Sequence, residues 1–235
     1  MKKRQKLGQH FLKSEKIAQS IVSAAKITKN ENVLEIGTGK GILTTLLCKT
    51  AKQVVSFEKD RELYKSAVAN LSNITNLKLR QGDGFKSNEN FSVFVSNLPY
   101  SRSRDAIEWL IQKKFSRAVI MVQKEFAEKL KTKSKKERKA ISILTQHALE
   151  IEPIANIQKT NFFPQPKVDS VVLKVKSKRK ISKDLIKVVN KLFSYRRKTL
   201  HKILVQFNKS NDSTKRLDEL DGDEIIKIAK QIIEK

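Results

Sequence analysis

The chain has 235 residues, of which 39% are hydrophobic, 7 are Gly and 4 are Pro, so it can bury a core and is not of low complexity. Its 50 Lys and Arg against 24 Asp and Glu give a formal charge of +26. Such an excess predicts a polyanionic partner, either nucleic acid or an anionic membrane surface. No apolar run approaches the roughly 20 residues that span a bilayer.

The N-terminal sequence MKKRQKLGQHFLKSEK has no apolar stretch of the kind found in signal peptides. We therefore expect a cytoplasmic protein that does not enter a membrane. A single cysteine, Cys48, excludes an intramolecular disulfide. The histidines His10, His147 and His201 lie far apart and have no Cys partners at ligand spacing, so we expect no metal.

Between residues 32 and 176, short apolar runs alternate with segments of helical periodicity. The predicted strands are NVLEIG, QVVSFEKD, LKLRQGD, FSVFVSN, RAVIMVQ and SVVLKVK, and the predicted helices lie near residues 43–49, 63–70 and 105–111. This alternation predicts an open α/β sheet with right-handed crossovers. Because no helix precedes the last strand, we expect that strand to be antiparallel.

Beyond residue 180 the apolar residues recur at helical spacing only, which predicts a small helical domain over 181–235 after an α/β domain over 1–178. The basic run KTKSKKERK at 131–139 is typical of a solvated loop. Arg196, Arg197 and Lys198 are candidate contacts for RNA, although solvation of a helix surface explains them equally well.

The residues that follow the first three predicted strands suit a nucleoside ligand, because ligands of open α/β sheets bind at the carboxyl ends of strands. EIGTGKG places Gly37, Gly39 and Gly41 before a helix, where the backbone can approach a ligand closely. Glu58 ends the second strand and can accept hydrogen bonds from ribose hydroxyls. Asp83 ends the third and can accept from an adenine amino group. The glycine loop alone suits an NAD enzyme nearly as well, and Glu58 alone could be a solvent-facing residue.

The fourth of these strands ends in SNLPY, which contains Asn97, Leu98, Pro99 and Tyr100. A proline terminates strand pairing, but this does not explain the Asn or the Tyr. The amino group of adenine is a poor nucleophile because its lone pair is delocalised into the ring. The Asn97 side-chain carbonyl and the Leu98 backbone carbonyl are candidates to accept its N–H bonds, with Tyr100 stacked on a flipped-out base.

Several motifs together carry a resemblance to a known family. With NLPY, they are LGQHFL (7–12), VLEIGTGKGILT (33–44), FEKD, GD, FFPQPKVDS (162–170) and YRRKTL (195–200). In this order, spanning nearly the whole chain, they resemble the ribosomal RNA adenine dimethyltransferases, the kasugamycin-resistance or dimethyladenosine transferase type. The resemblance implies a Rossmann-like class I S-adenosylmethionine-dependent methyltransferase sheet with a small C-terminal helical domain.

The resemblance also implies an activity and a partner. In that family S-adenosylmethionine donates methyl groups to N6 of two adjacent adenosines near the 3′ end of small-subunit ribosomal RNA. The partner would be the small ribosomal subunit during its biogenesis, and we expect a monomer.

The resemblance assigns roles to individual residues. His10 and Leu12 would close over the cofactor, and Gly37 would approach its methionine part. The other residues with implied roles are Gly39 in the same loop, Glu58 at the ribose, Asp83 at the cofactor adenine, Asn97 between cofactor and target, and Phe162 opposite Tyr100 against the target base. Phe163 is the alternative to Phe162 as the stacking ring.

The chain departs from the family at three places. His10 stands where many bacterial members have Asn, SRSRD follows the NLPY signature, and KKERKAIS occupies 135–142. These departures concern substrate docking more than cofactor binding. Two alternatives stay open: an erythromycin-resistance type of large-subunit RNA methyltransferase, and a non-catalytic ribosome-assembly factor that keeps the fold.

Overall fold

The computed structural model of the chain describes residues 9–210 and 213–234, so Leu7 and Gly8 of the LGQHFL motif lie outside the described residues. The chain divides into two compact units. The first contains residues up to 106, 114–127 and 151–177, and the second contains 107–113, 128–150 and the residues from 178 onward. The predicted boundary between 178 and 181 stays a prediction, since the second unit also includes earlier segments of the chain.

A seven-stranded sheet with the order β4-β3-β2-β5-β6-β9-β7 forms the main framework. Its strands are β2 (Asn32–Ile36), β3 (Gln53–Glu58), β4 (Leu77–Gln81), β5 (Val93–Ser96), β6 (Arg117–Gln123), β7 (Leu149–Ile157) and β9 (Ser170–Ser177). The pairs β2–β3, β3–β4, β2–β5 and β5–β6 are parallel, and β9 is antiparallel to β6. The strand order reverses between β2 and β5, which is where open α/β sheets bind ligands.

All six predicted strands are present, and the antiparallel direction of the last one is confirmed. The strand β7 was not predicted. It contains Pro153 and several exposed residues, and it is tolerated because it forms an edge of the sheet.

A second, two-stranded sheet pairs β1 (Phe11–Leu12) with β8 (Phe162–Phe163). Phe11 lies opposite Phe163, and Leu12 lies opposite Phe162. The Lys13 N–H also donates to the Asn161 carbonyl at 2.9 Å. The start of the described chain is therefore fixed to the FFPQP segment, a connection that two-residue strands do not reveal in a sequence pattern.

Helices connect and follow these strands, at the bounds α1 (Glu15–Ala25), α2 (Ile42–Thr50), α3 (Arg61–Leu71), α4 (Ser103–Leu110), α5 (Lys124–Lys131), α6 (Ala140–Ala148), α7 (Lys183–Ser194), α8 (Leu200–Val205) and α9 (Gly222–Ile233). Side chains that accept hydrogen bonds from the first backbone N–H groups explain where two of these helices begin. Asp60 caps α3 by accepting from the N–H groups of Glu62 and Leu63 at 2.9 and 3.1 Å, and Ser14 caps α1.

The core of the first unit consists of apolar side chains from α1, α2 and the sheet, and Cys48 is buried within it. In the second unit, α7 packs against α9 through apolar faces, with Leu185, Val189 and Ile225 among the buried residues. The predicted helices of this region are thus confirmed. No helix in the described part of the chain is long and apolar enough to cross a bilayer.

The basic run 131–139 is only partly the solvated loop that its composition suggests. Lys131 ends α5, and several of the residues that follow are exposed. Arg138, however, is buried and donates to the Leu220 carbonyl, while Lys135 donates to the Glu219 carbonyl at 2.7 Å. This run is therefore attached to the turn before α9 within the second unit.

Candidate active site

A cavity of about 490 Å³ opens where β2, β3, β4 and β5 end. Its lining includes residues directly after each of these strands and residues 9–12 of the chain. This volume lies in the range that proteins use for small ligands and cofactors. The convergence of the four strand ends that the sequence predicts is therefore present in the structure.

The glycine loop forms one wall of the cavity. Gly37, Gly39 and Gly41 have φ angles of 91°, 57° and 81°, which side chains with a Cβ rarely adopt. A Cβ added at Gly39 would touch the Phe11 ring at 3.5 Å. The loop therefore needs glycine for its backbone conformation, whereas the approach of Phe11 would leave an ordinary contact distance for a Cβ.

Glu58 lines the cavity and is 4% exposed, so the alternative of a solvent-facing residue is wrong. Its Oε2 accepts from the Gly39 N–H at 2.9 Å, and its Oε1 accepts from the Asp60 N–H at 2.8 Å. Each oxygen has further acceptor capacity. Glu58 thus joins the glycine loop to the start of α3 and can accept additional hydrogen bonds from a ligand.

Asp83 lies at the end of β4 and faces two cations. Its Oδ2 is 3.1 Å from Nη2 of Arg102 and 3.3 Å from Nζ of Lys59, and its Oδ1 accepts from the Phe85 N–H at 3.2 Å. Burial raises the pKa of Asp83, but the Phe85 hydrogen bond and the charges of Arg102 and Lys59 outweigh it, so the net pKa lies below its usual value. Asp83 is therefore an ionised acceptor at neutral pH.

Glu35 is a cavity-lining residue that the sequence analysis missed. It is fully buried, and its Oε2 accepts from the hydroxyls of Thr44 and Ser56, both at 2.6 Å. Its Oε1 has no hydrogen-bond partner. Burial raises the pKa of Glu35 to about 7, although the two hydroxyls oppose this shift. Glu35 is therefore a cavity-lining carboxyl group with one buried, unsatisfied oxygen, which marks it as a candidate functional group.

The NLPY segment follows β5, and its Asn97, Leu98 and Pro99 line the cavity. Tyr100 is held beside them: its hydroxyl lies 2.6 Å from Oγ of Ser170, and its ring centroid lies 5.3 Å from that of His10. Burial also raises the pKa of Tyr100. The structure thus fixes the Tyr100 ring next to the cavity as a neutral aromatic surface.

The N-terminal segment contributes His10 and Leu12 to the cavity wall. His10 Nδ1 lies 2.7 Å from the Pro164 carbonyl, so it is the protonated ring nitrogen that donates there. The His10 side chain thereby links the segment to the FFPQP loop.

The expectation that Phe162 stacks on a target base requires correction. Phe162 is 1% exposed and packs in the core of the first unit, so neither face of its ring is available. Phe163 is 61% exposed. Of the two rings, Phe163 is the one exposed to solvent, and its role as the stacking surface stays a prediction.

Arg196, Arg197 and Lys198 follow α7 in the second unit. Arg197 and Lys198 are exposed and Arg196 is half-buried, and Nζ of Lys198 lies 5.1 Å from the centre of the Tyr195 ring. Their contribution to RNA binding stays a prediction.

The fold and the cavity together define the class of protein. The solved structure of the 23S rRNA methyltransferase ErmE matches with a TM-score of 0.66 and 21% identity over 95% of this chain and 99% of that one. This likeness concerns the fold alone. The sheet is that of a Rossmann-like methyltransferase.

Closer matches identify the family. A dimethyladenosine transferase from Plasmodium falciparum has a TM-score of 0.79 and 28% identity, covering 96% of this chain and 98% of that one. A ribosomal RNA small subunit methyltransferase A from Thermotoga maritima is 35% identical over 231 residues, 94% of this chain and 82% of that protein. The model of the family described as ribosomal RNA adenine dimethylase matches residues 1–232. The chain belongs to this family.

Proposed function

We propose that this enzyme uses S-adenosylmethionine to dimethylate N6 of two adjacent adenosines near the 3′ end of small-subunit ribosomal RNA. The observation that carries the proposal is the convergence of Gly37, Glu58, Asp83 and Asn97 on one cavity of about 490 Å³. The chain belongs to the ribosomal RNA adenine dimethylase family. Each of these four residues can contact either the cofactor or the target amine in this cavity.

The cavity residues fit the cofactor by their chemistry. Glu58 accepts from ribose hydroxyls, and Asp83, held ionised by its neighbours, accepts from the adenine amino group. The unpartnered Oε1 of Glu35 suits the ammonium group of the methionine part, and the glycine loop lets the backbone approach that part closely. When bound, the cofactor supplies an electrophilic methyl group on a sulfonium.

The residues after β5 prepare the nucleophile. The Asn97 side-chain carbonyl and the Leu98 carbonyl accept the two N–H bonds of the target amine, which directs its lone pair toward the methyl group. Tyr100 and the exposed Phe163 hold the faces of the flipped base. After transfer, the amine nitrogen carries a positive charge and releases one proton. The bound cofactor would supply this methyl group and would be left as the neutral sulfide, S-adenosylhomocysteine.

The substrate RNA places this reaction on the small ribosomal subunit in the cytoplasm, with the enzyme acting as a monomer. The second candidate, methylation of large-subunit RNA, is favoured only by the fold that the chain shares with ErmE. A non-catalytic assembly factor would not need the cofactor contacts described above.

One experiment separates these functions. Labelled methyl transfer from S-adenosylmethionine is measured in parallel on unmethylated small subunits, large subunits and free RNA. We expect incorporation into small subunits at adjacent adenosines, and Asn97→Ala should abolish it while retaining S-adenosylhomocysteine binding. Incorporation into large subunits alone would instead identify the second candidate, and none at all would identify the assembly factor.

A further inference from the structure

Arg102 belongs to the SRSRD segment that follows the NLPY motif, and its side chain is held at three points. Nη2 lies 3.1 Å from Oδ2 and 3.4 Å from Oδ1 of Asp83. Nε lies 3.2 Å from Oδ2 of Asp105. The guanidinium carbon lies 5.1 Å from the centre of the Phe85 ring, within the range of cation–π contacts.

The backbone of Arg102 belongs to the turn that carries the base-binding residues. Tyr100–Arg102 form a 3-10 turn between Pro99 and α4, and the Arg102 N–H donates to the Pro99 carbonyl at 2.8 Å. One residue therefore connects two walls of the same cavity. Its main chain fixes the turn after β5, and its side chain reaches the acid and the ring that follow β4.

The exposed fractions of the side chains indicate which cation, Lys59 or Arg102, pairs more strongly with Asp83. The side chain of Lys59 is 66% exposed, whereas those of Arg102 and Asp83 are 33% and 17% exposed. Exposed ion pairs contribute little because water screens them and flexible side chains lose entropy. The guanidinium of Arg102 is planar and is fixed at Nη2, at Nε and across its face, so it loses less side-chain entropy on pairing. Arg102 is therefore the stronger ion-pair partner of Asp83.

We propose that Arg102 is a positioning residue that couples the adenine subsite at Asp83 to the turn that holds Asn97 and Tyr100. Asp83 can accept from a ligand while it keeps its 3.1 Å contact with Arg102, because the exposed Lys59 holds one of the carboxylate's about four acceptor positions and can release it. A bound adenine fixes the carboxylate, the carboxylate fixes Arg102, and Arg102 fixes the turn. This inference rests on the proposed function, since it takes Asp83 as the acceptor for the cofactor adenine.

The test compares Arg102→Met and Arg102→Lys with Arg80→Met, which removes the same charge from an exposed position on β4. The measurements are kcat and KM for methyl transfer to small subunits, and Kd for S-adenosylhomocysteine. We expect Arg102→Met to lower kcat about tenfold and to change Kd less than about threefold, because a misplaced turn affects the reaction more than ligand binding. Arg102→Lys should fall between wild type and Met, and Arg80→Met should match wild type.

A double-mutant cycle tests the connection through Asp83. In the Asp83→Asn background the ion pair between residue 83 and Arg102 is already lost. Adding Arg102→Met should therefore lower kcat less than about twofold further. Additive effects, or an Arg102→Met enzyme that behaves like Arg80→Met, would overturn the coupling. A loss confined to Kd would also overturn it, since Arg102 would then be a simple binding contact. If Arg102→Met does not fold, the same cycle is run with Arg102→Lys.

Failure of the proposed function has a different signature. If wild type neither binds S-adenosylhomocysteine nor methylates small subunits, or if Asp83→Asn leaves Kd unchanged, the adenine subsite is wrong, and the coupling falls with it. If Asp83→Asn weakens binding while Arg102→Met has no effect on kcat, only the coupling is wrong.

Discussion

Glu35 is a carboxyl group with two differently placed oxygens, one bonded to two hydroxyls and one without a partner beside the cavity. In the sequence it is one residue of a buried strand, NVLEI, and nothing in the spacing marks it. Its environment depends on Thr44 and Ser56, which come from α2 and β3. Such a site is set by tertiary packing, which explains why the sequence analysis identified Glu58 and Asp83, at strand ends, but missed Glu35.

Replacing Glu35 with Gln should change the pH dependence of stability. Because burial raises the pKa of Glu35 from its ordinary value of 4.5 to about 7, the unfolded chain ionises first and the wild type loses stability as pH rises between these two values. Gln does not ionise, so the free energy of unfolding of Glu35→Gln relative to wild type should increase by up to about 3 kcal/mol from pH 4.5 to pH 8. Denaturant titrations at the two pH values measure this difference, and a constant difference would contradict it.

Phe162 and Phe163 offer a matched pair at neighbouring positions. Phe163→Ala should lower kcat/KM for the RNA substrate by roughly tenfold or more, since base stacking contributes about 1–3 kcal/mol, and it should leave the unfolding free energy nearly unchanged. Phe162→Ala should reduce that free energy by about 3–5 kcal/mol, because it opens a cavity in the core. Methyl-transfer kinetics and denaturant unfolding separate the two effects, and the opposite pattern would restore Phe162 as the stacking ring.

Elements of regular periodicity were predictable, and short or irregular ones were not. The parallel strands are buried apolar runs between helices, so their carboxyl ends, and the residues that follow them, could be located from sequence. The two-residue strands β1 and β8 give no periodic signal, and the Pro153 within β7 argues against a strand. The link between the N-terminal segment and FFPQP therefore appears only in the structure.

The strand ends depend on close packing at Gly84. A Cβ added there would lie 2.7 Å from Cγ1 of Ile36 and 3.0 Å from Cβ of Phe57, so Gly84→Ala should destabilise the protein by about 1–3 kcal/mol. Gly222→Ala, in the first turn of α9, is the control. Its Cβ would meet Ile143 at an ordinary 3.5 Å, and alanine favours a helix by up to about 1 kcal/mol. Equal effects of both substitutions on the unfolding midpoint would contradict the packing argument.

At the scale of the whole molecule, the charge of +26 was enough to predict a polyanionic partner. The sequence was not enough to show that residues 107–113 and 128–150 belong with the helices after 178. That grouping results from contacts between segments far apart in the chain, such as the bond from Arg138 to the Leu220 carbonyl. The second unit is therefore assembled from three segments, and truncation near residue 180 would divide it.

The net charge of +26 leads to a quantitative prediction for how RNA affinity depends on salt concentration. Each neutralised phosphate contributes about −0.7 to −0.9 to the slope of log affinity against log salt concentration, so the affinity for small-subunit RNA should fall steeply with salt. Replacing residues 196–198 with alanine should make the slope shallower by about 2, whereas alanine at the exposed Lys16, Lys65 and Lys78 should change it less. Binding of S-adenosylhomocysteine, measured over the same salt series, reports whether the fold is intact. A flat response in wild type would show that the excess charge does not serve RNA binding, and equal effects of the two triple variants would remove residues 196–198 as the preferred contact surface.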